Sequence, residues 1–235
     1  MATQDTVTQL RAAIRKLLAA LDLAASPLAA AVRAALLRDD EYSTVGKPPC
    51  DWDDKAAREA LVDALVRDAS AALAVLNRET LPAGAVGAAE LLALVASQDI
   101  QQGDDGVFRI VVGVAKDRVI STVDPEARHG HKSRNRRFDG YKTHLSIDPD
   151  SELIDEVAVT AANVPDRDAV GDLLEGLADE DDKPEILGDS AYADGATRKA
   201  LGDAGFDVVA KVPRCATLRG CSPRTVSAST WRRRV

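Results

Sequence analysis

The chain has 235 residues, a length between one domain and two, of which 46% are hydrophobic and 29% charged; that is a globular balance, with no apolar run near the roughly 20 residues that span a bilayer. Aromatic residues make up 3%, so the core must be built from Ala, Val, Leu and Ile. The formal net charge of -8 is, taken whole, the wrong sign for a nucleic-acid binder.

That average hides a segregation. Between Glu126 and His144, six basic residues (Arg128, Lys132, Arg134, Arg136, Arg137 and Lys142) stand against two acids, Glu126 and Asp139. From Lys211 to Val235 there are seven basic residues and no acid. Cys50, Cys215 and Cys221 are odd in number and form no CxxC pair, so free thiols are expected rather than a disulfide framework or a zinc knuckle. The N-terminus has no basic stretch leading into an apolar one, and the expected location is the cytoplasm.

The first hundred residues read as helices. Val7, Leu10, Ile14, Leu17, Leu18 and Leu21 recur at three- and four-residue steps and form one apolar stripe. Ser26 and Pro27 predict an N-cap and first helical residue for a second helix to about Arg38. The acids at 51–54 open a third helix to about Arg78, and a fourth covers about 86–97. Breakers fill 42–50 and 79–84. Residues 1–100 are thus expected to form a helical subdomain, a scaffold with no chemistry of its own.

After Gln98 the period changes. Residues 108–114 and 118–123 are β-branched and predicted as strands. Residues 141–147 and 153–159 alternate apolar and polar around Asp148-Pro149-Asp150-Ser151, which predicts a β-hairpin. A helix over 166–177, a strand over 185–188, a helix over 195–203 and a strand over 206–212 follow. Strands alternating with helices predict a mixed sheet with parallel crossovers.

The strongest local signal is Ile186-Leu187-Gly188-Asp189-Ser190-Ala191-Tyr192. A strand ending in Gly-Asp places a carboxylate at the carboxyl edge of a sheet, where open α/β folds bind ligands. Asp189 is therefore a candidate metal ligand, with a turn brace or helix cap as the other reading. Asp124, before a proline, reads first as a turn residue. His129, His131 and His144 lack a zinc spacing, and a solvated or phosphate-facing pair is the better expectation. The basic residues of 128–142 are candidates for DNA-backbone contact, since Lys and Arg neutralise phosphates without reading sequence; an exposed, solvated loop is the alternative.

Three segments in order, 119–132 (with Asp124-Pro125-Glu126-Ala127-Arg128-His129-Gly130-His131-Lys132), Phe138-Asp139-Gly140-Tyr141-Lys142-Thr143-His144 and Gly188-Asp189-Ser190-Ala191-Tyr192, resemble DDE transposases of the IS1182-like insertion-sequence group. The resemblance covers about residues 2–212. It implies an RNase H-like mixed sheet of five strands in which three acids hold two divalent metals, Mg²⁺ by preference. Asp189 matches the second acid, as catalytic residue and metal ligand. Residues 141–147, 153–159 and 206–212 match the second, third and fifth strands.

The same resemblance implies an α/β fold that is only a partial RNase H-like sheet. Its first strand, bearing the first acid, is expected to be missing, and the third acid to lie beyond Val212. The expected domains are a helical insertion over 1–100, a partial catalytic domain over 105–212, and a frameshifted, disordered tail over 213–235. The implied partners are insertion-sequence DNA ends and a second copy or an intact transposase, with no membrane. The expectation is a transposase fragment without strand-cleavage activity; its alternatives are a DNA- or transposase-binding inhibitor, and a phosphodiesterase that recruits Asp124 or Asp194 beside Asp189.

Overall fold

A computed structural model describes residues 3–113, 115–133, 135–177, 183–192 and 194–211. It divides into two units: residues 1–144 with 158–164, and residues 145–157 with 165–235. The expected tail, Arg134, Cys215 and Cys221 lie outside the described residues.

The first unit is built on four helices: α1 (Thr6–Leu23), α2 (Leu28–Ala35), α3 (Lys55–Leu76) and α4 (Ala83–Ser97). Asp5 and Asp54 cap α1 and α3, accepting hydrogen bonds from the amides of Thr8 and Ala56 at 2.9 Å each. The α1 stripe is the centre of the core: Leu10, Ile14, Leu17 and Leu21 are fully buried against α3 and α4, with Leu65, Leu92 and Val95 among their neighbours. Helix α2 starts one residue later than predicted, with the Ser26 hydroxyl accepting from the Leu28 amide at 3.3 Å. It also stops early, at Ala35. Buried Asp68 on α3 takes the amides of Leu37 and Arg38 at 2.6 and 3.3 Å, which draws the chain out of the helix.

The connection after α2, expected only to break helices, is pinned. Arg11 forms a two-toothed ion pair with Asp40 at 2.9 and 3.0 Å and donates to the carbonyls of Thr44 and Gly46 at 2.6 and 3.2 Å. Tyr42 is buried with a positive φ of 52°, and its hydroxyl donates to Asp68. The Arg11 guanidinium holds the Asp40 carboxyl below its ordinary range, while burial and Asp68 push the Tyr42 phenol up.

Strands β1 (Ile100–Gln102) and β2 (Phe108–Ile110) pair antiparallel as a short hairpin. The strand predicted over 118–123 is not formed. Glutamine side chains occupy its backbone groups instead: Gln98 accepts from the Val119 amide at 3.0 Å, Gln9 and Gln98 both donate to the Val119 carbonyl, and Gln4 accepts from the Thr122 amide at 2.7 Å. With its ladder positions filled, the segment is buried as irregular chain.

The basic stretch is a strand rather than an exposed loop. β3 (Arg128–Ser133) pairs antiparallel with the start of β4 (Arg136–Ile147), and β5 (Ile154–Ala161) completes a three-stranded sheet of order β3-β4-β5. The predicted turn between β4 and β5 is present, with the Asp148 amide donating to the Leu153 carbonyl at 3.0 Å. In the second unit the helix predicted over 166–177 breaks into a 3₁₀ turn (Asp166–Ala169), α5 (Val170–Leu173) and another 3₁₀ turn (Glu175–Leu177). Gly171 and Gly176 each weaken a helix by about 1 kcal/mol. β6 (Glu185–Gly188) and β7 (Asp207–Ala210) pair in parallel across α6 (Gly195–Asp203). The described strands therefore form three small sheets rather than one five-stranded ladder.

Candidate functional site

Asp189 follows β6 directly, where the strand sequence Glu185–Gly188 gives way to a turn. Its side chain is exposed. One carboxylate oxygen accepts from the Ala191 amide at 2.7 Å, and its carbonyl accepts from the Tyr192 amide at 3.3 Å. The turn-brace reading thus accounts for one carboxylate oxygen. Burial, Asp166 and Asp189 raise the Tyr192 phenol above its ordinary range, so this ring stays protonated beside two carboxylates.

The α6 cap falls to Asp194, which accepts from the Thr197 amide at 2.8 Å and pairs with Arg167 at 3.1 Å. The pairing ties the first 3₁₀ turn to the α6 N-terminus, an arrangement that spacing alone does not reveal. Asp194 is therefore committed, and Asp124 belongs to the other unit. Among the described residues no three His, Cys, Asp or Glu side chains gather as a metal cage. A two-metal centre needs several oxygen ligands per ion; Asp189 offers two at most, so the described residues do not fit such a centre.

The basic residues occupy the β3–β4 ribbon. Register pairs His129 with Asp139 and His131 with Arg137, so these four share one exposed face; His129 Nδ1 lies 2.6 Å from the Asp139 carboxylate. On the other face Gly130 sits opposite Phe138. A Cβ at Gly130 would meet the Ala162 carbonyl at 2.6 Å, the Ala162 Cβ at 2.7 Å and the Phe138 ring at 2.8 Å. Lys132, Arg136 and Arg137 are exposed. Arg128 donates to the Pro125 and Ala127 carbonyls at 2.5 and 2.9 Å, and Lys142 donates to the Val164 carbonyl at 2.6 Å. Lys132, Arg136 and Arg137 are thus exposed along the ribbon, whereas Arg128 and Lys142 are engaged in backbone contacts.

The three histidines do not converge. His144 is buried, with Nε2 2.9 Å from the Thr160 hydroxyl, while His129 and His131 face outward. Asp124 accepts from the Tyr141 hydroxyl at 2.5 Å; that bond pushes the phenol up to about 12. No described helix is long and apolar enough to cross a membrane.

One unit carries a carboxylate at a strand end, and the other carries a basic two-stranded ribbon. A family model described as the transposase DDE domain matches residues 99–230, more than half of the chain, and the chain belongs to that family. The match begins at the end of the helical region and runs through part of the acid-free basic segment. No curated protein and no solved structure matches the chain. The family acts on DNA and typically uses divalent metal.

Proposed function

We propose that this chain is a transposase domain of the IS1182-like group, in which the β3–β4 ribbon contacts the DNA backbone and Asp189 is one carboxylate of an RNase H-like site. The observation that carries the DNA contact is the exposure of Lys132, Arg136 and Arg137 along the paired β3–β4 ribbon. A two-stranded ribbon fits the major groove, and guanidinium groups neutralise phosphates. The three motifs and the position of Asp189 after β6 support the RNase H-like reading.

In this reading the chain by itself binds DNA without cutting it. Asp189 would be one of several acids that such a site needs, and no catalytic step is assigned to these residues. The exposed ribbon also favours the second role, an inhibitor that occupies transposase DNA ends or associates with intact transposase. Gel retardation of duplex DNA tests the binding: salt-sensitive retardation lost in the Lys132→Ala/Arg136→Ala/Arg137→Ala variant is expected, and no retardation at low salt contradicts it.

A further inference from the structure

The β3–β4 ribbon has two unlike faces, because alternate residues of a strand point to opposite sides. On one, Gly130 sits against Ala162 with Phe138 opposite it. The other carries His129 across from Asp139 and His131 across from Arg137, all exposed. β5 ends at Ala161, where the Val164 amide turns back to the Ala161 carbonyl at 3.0 Å, and the Ala162 amide donates to the Gly140 carbonyl at 3.0 Å. Residues 131–139 therefore run past the last strand residue of β5 with β3 as the paired neighbour of β4, the two-stranded width that the major groove of B-DNA admits.

Asp139 is the only acid between Arg128 and Lys142, and it stands on this open face. Phosphates repel a carboxylate, so on a DNA-contacting surface it costs affinity unless a base donor meets it. The major groove offers two such donors, the cytosine N4 and adenine N6 amines. Adenine sets its amine beside the N7 acceptor, an edge that Asn or Gln matches with a donor and an acceptor together, whereas a carboxylate only accepts and suits cytosine. The carboxylate is also held. His129 Nδ1 lies 2.6 Å from Asp139 Oδ1, and this bond uses one of about four lone-pair sites.

From that placement we infer that Asp139 is a base-reading residue. With Lys132, Arg136 and Arg137 on phosphates, its carboxylate accepts from the N4 amine of a cytosine in the major groove, and His129 is the positioning residue that fixes its direction. The DNA site recognised contains a G·C pair beneath the open face. The inference rests on the DNA-contact reading of the ribbon and on nothing at Asp189.

Gel retardation with the full chain compares duplexes of equal length made of mixed G·C, mixed A·T or I·C pairs. Roughly tenfold tighter binding of the G·C duplex than of the A·T duplex is expected. Inosine keeps the cytosine amine in the major groove and removes only the guanine N2 amine from the minor groove, so the I·C duplex should bind like the G·C one. Asp139→Ala should tighten the A·T complex and bring the two affinities together, and His129→Ala should narrow their ratio. Asp139→Asn, which adds a donor, should turn the preference towards A·T. An unchanged ratio in Asp139→Ala, equal weakening of both complexes by it, no turn in Asp139→Asn, or an I·C duplex that binds like A·T overturns the base reading; a ratio unmoved by His129→Ala overturns the positioning role. The two readings separate: retardation with no base preference loses this inference alone, and retardation of no duplex loses the ribbon contact with it.

Discussion

At Gly130 the ribbon has no room for a methyl group, since a Cβ would lie under 3 Å from both Ala162 and Phe138. Overpacking of this kind typically costs about 1–3 kcal/mol. Gly130→Ala is therefore expected to lower the melting temperature and to weaken DNA retardation together; an unchanged melting curve contradicts the packing. The exposed arginines act differently. Each phosphate contact contributes about -0.9 to the slope of log affinity against log salt, so Arg136→Ala/Arg137→Ala should flatten that slope by about 2 with little change in stability. A slope unaltered by the double variant removes these residues from the interface.

Among the elements, the segment after β2 shows how side chains replace a sheet. Gln98 is the acceptor for the Val119 amide, while Gln9 also serves the Val119 carbonyl, so Gln98→Ala strands the buried amide, a loss of about 1–3 kcal/mol. Denaturant unfolding measures it, and a loss well under 1 kcal/mol would show that water takes the place of the amide. The Arg11–Asp40 pair makes a pH-dependent contribution. Asp40 has a depressed folded pKa, so its contribution is complete above the ordinary Asp value of about 3.9 and is lost as pH falls through the depressed one. Arg11→Ala should cost about 3–5 kcal/mol at neutral pH, as for a broken buried pair. The gap from the wild type should narrow only in acid; a gap independent of pH down to strong acid contradicts the pairing.

These elements also mark what the sequence could reveal. The α1 stripe, the Asp54 cap and the β4–β5 turn were legible because they depend on local period and turn chemistry. The β-branched residues 118–123 were misread as a strand because their partners, Gln4, Gln9 and Gln98, are distant in sequence and polar. The ribbon was misread as a possible loop because its packing hinges on Gly130 against Ala162, a contact across about thirty residues of chain. At the site, Gly188-Asp189 announced a strand-end carboxylate, but the Arg167–Asp194 tie depends on tertiary approach that no motif records.

For the whole molecule, the two units differ in how much they bury. The first rests on the large α1, α3 and α4 cluster, whereas the second gathers Val170, Leu174 and Phe206, and α6 has no buried residue. Native-state hydrogen exchange should therefore find the slowest amides in α1 and α3 and faster exchange in β6, α6 and β7; the reverse order contradicts the division of stability. The central claim concerns chemistry, and a supercoiled plasmid incubated with the full chain and Mg²⁺ or Mn²⁺ tests it most directly. Salt-sensitive binding with the plasmid left intact is the expected result, and metal-dependent nicking that Asp189→Ala abolishes is the result that would contradict it.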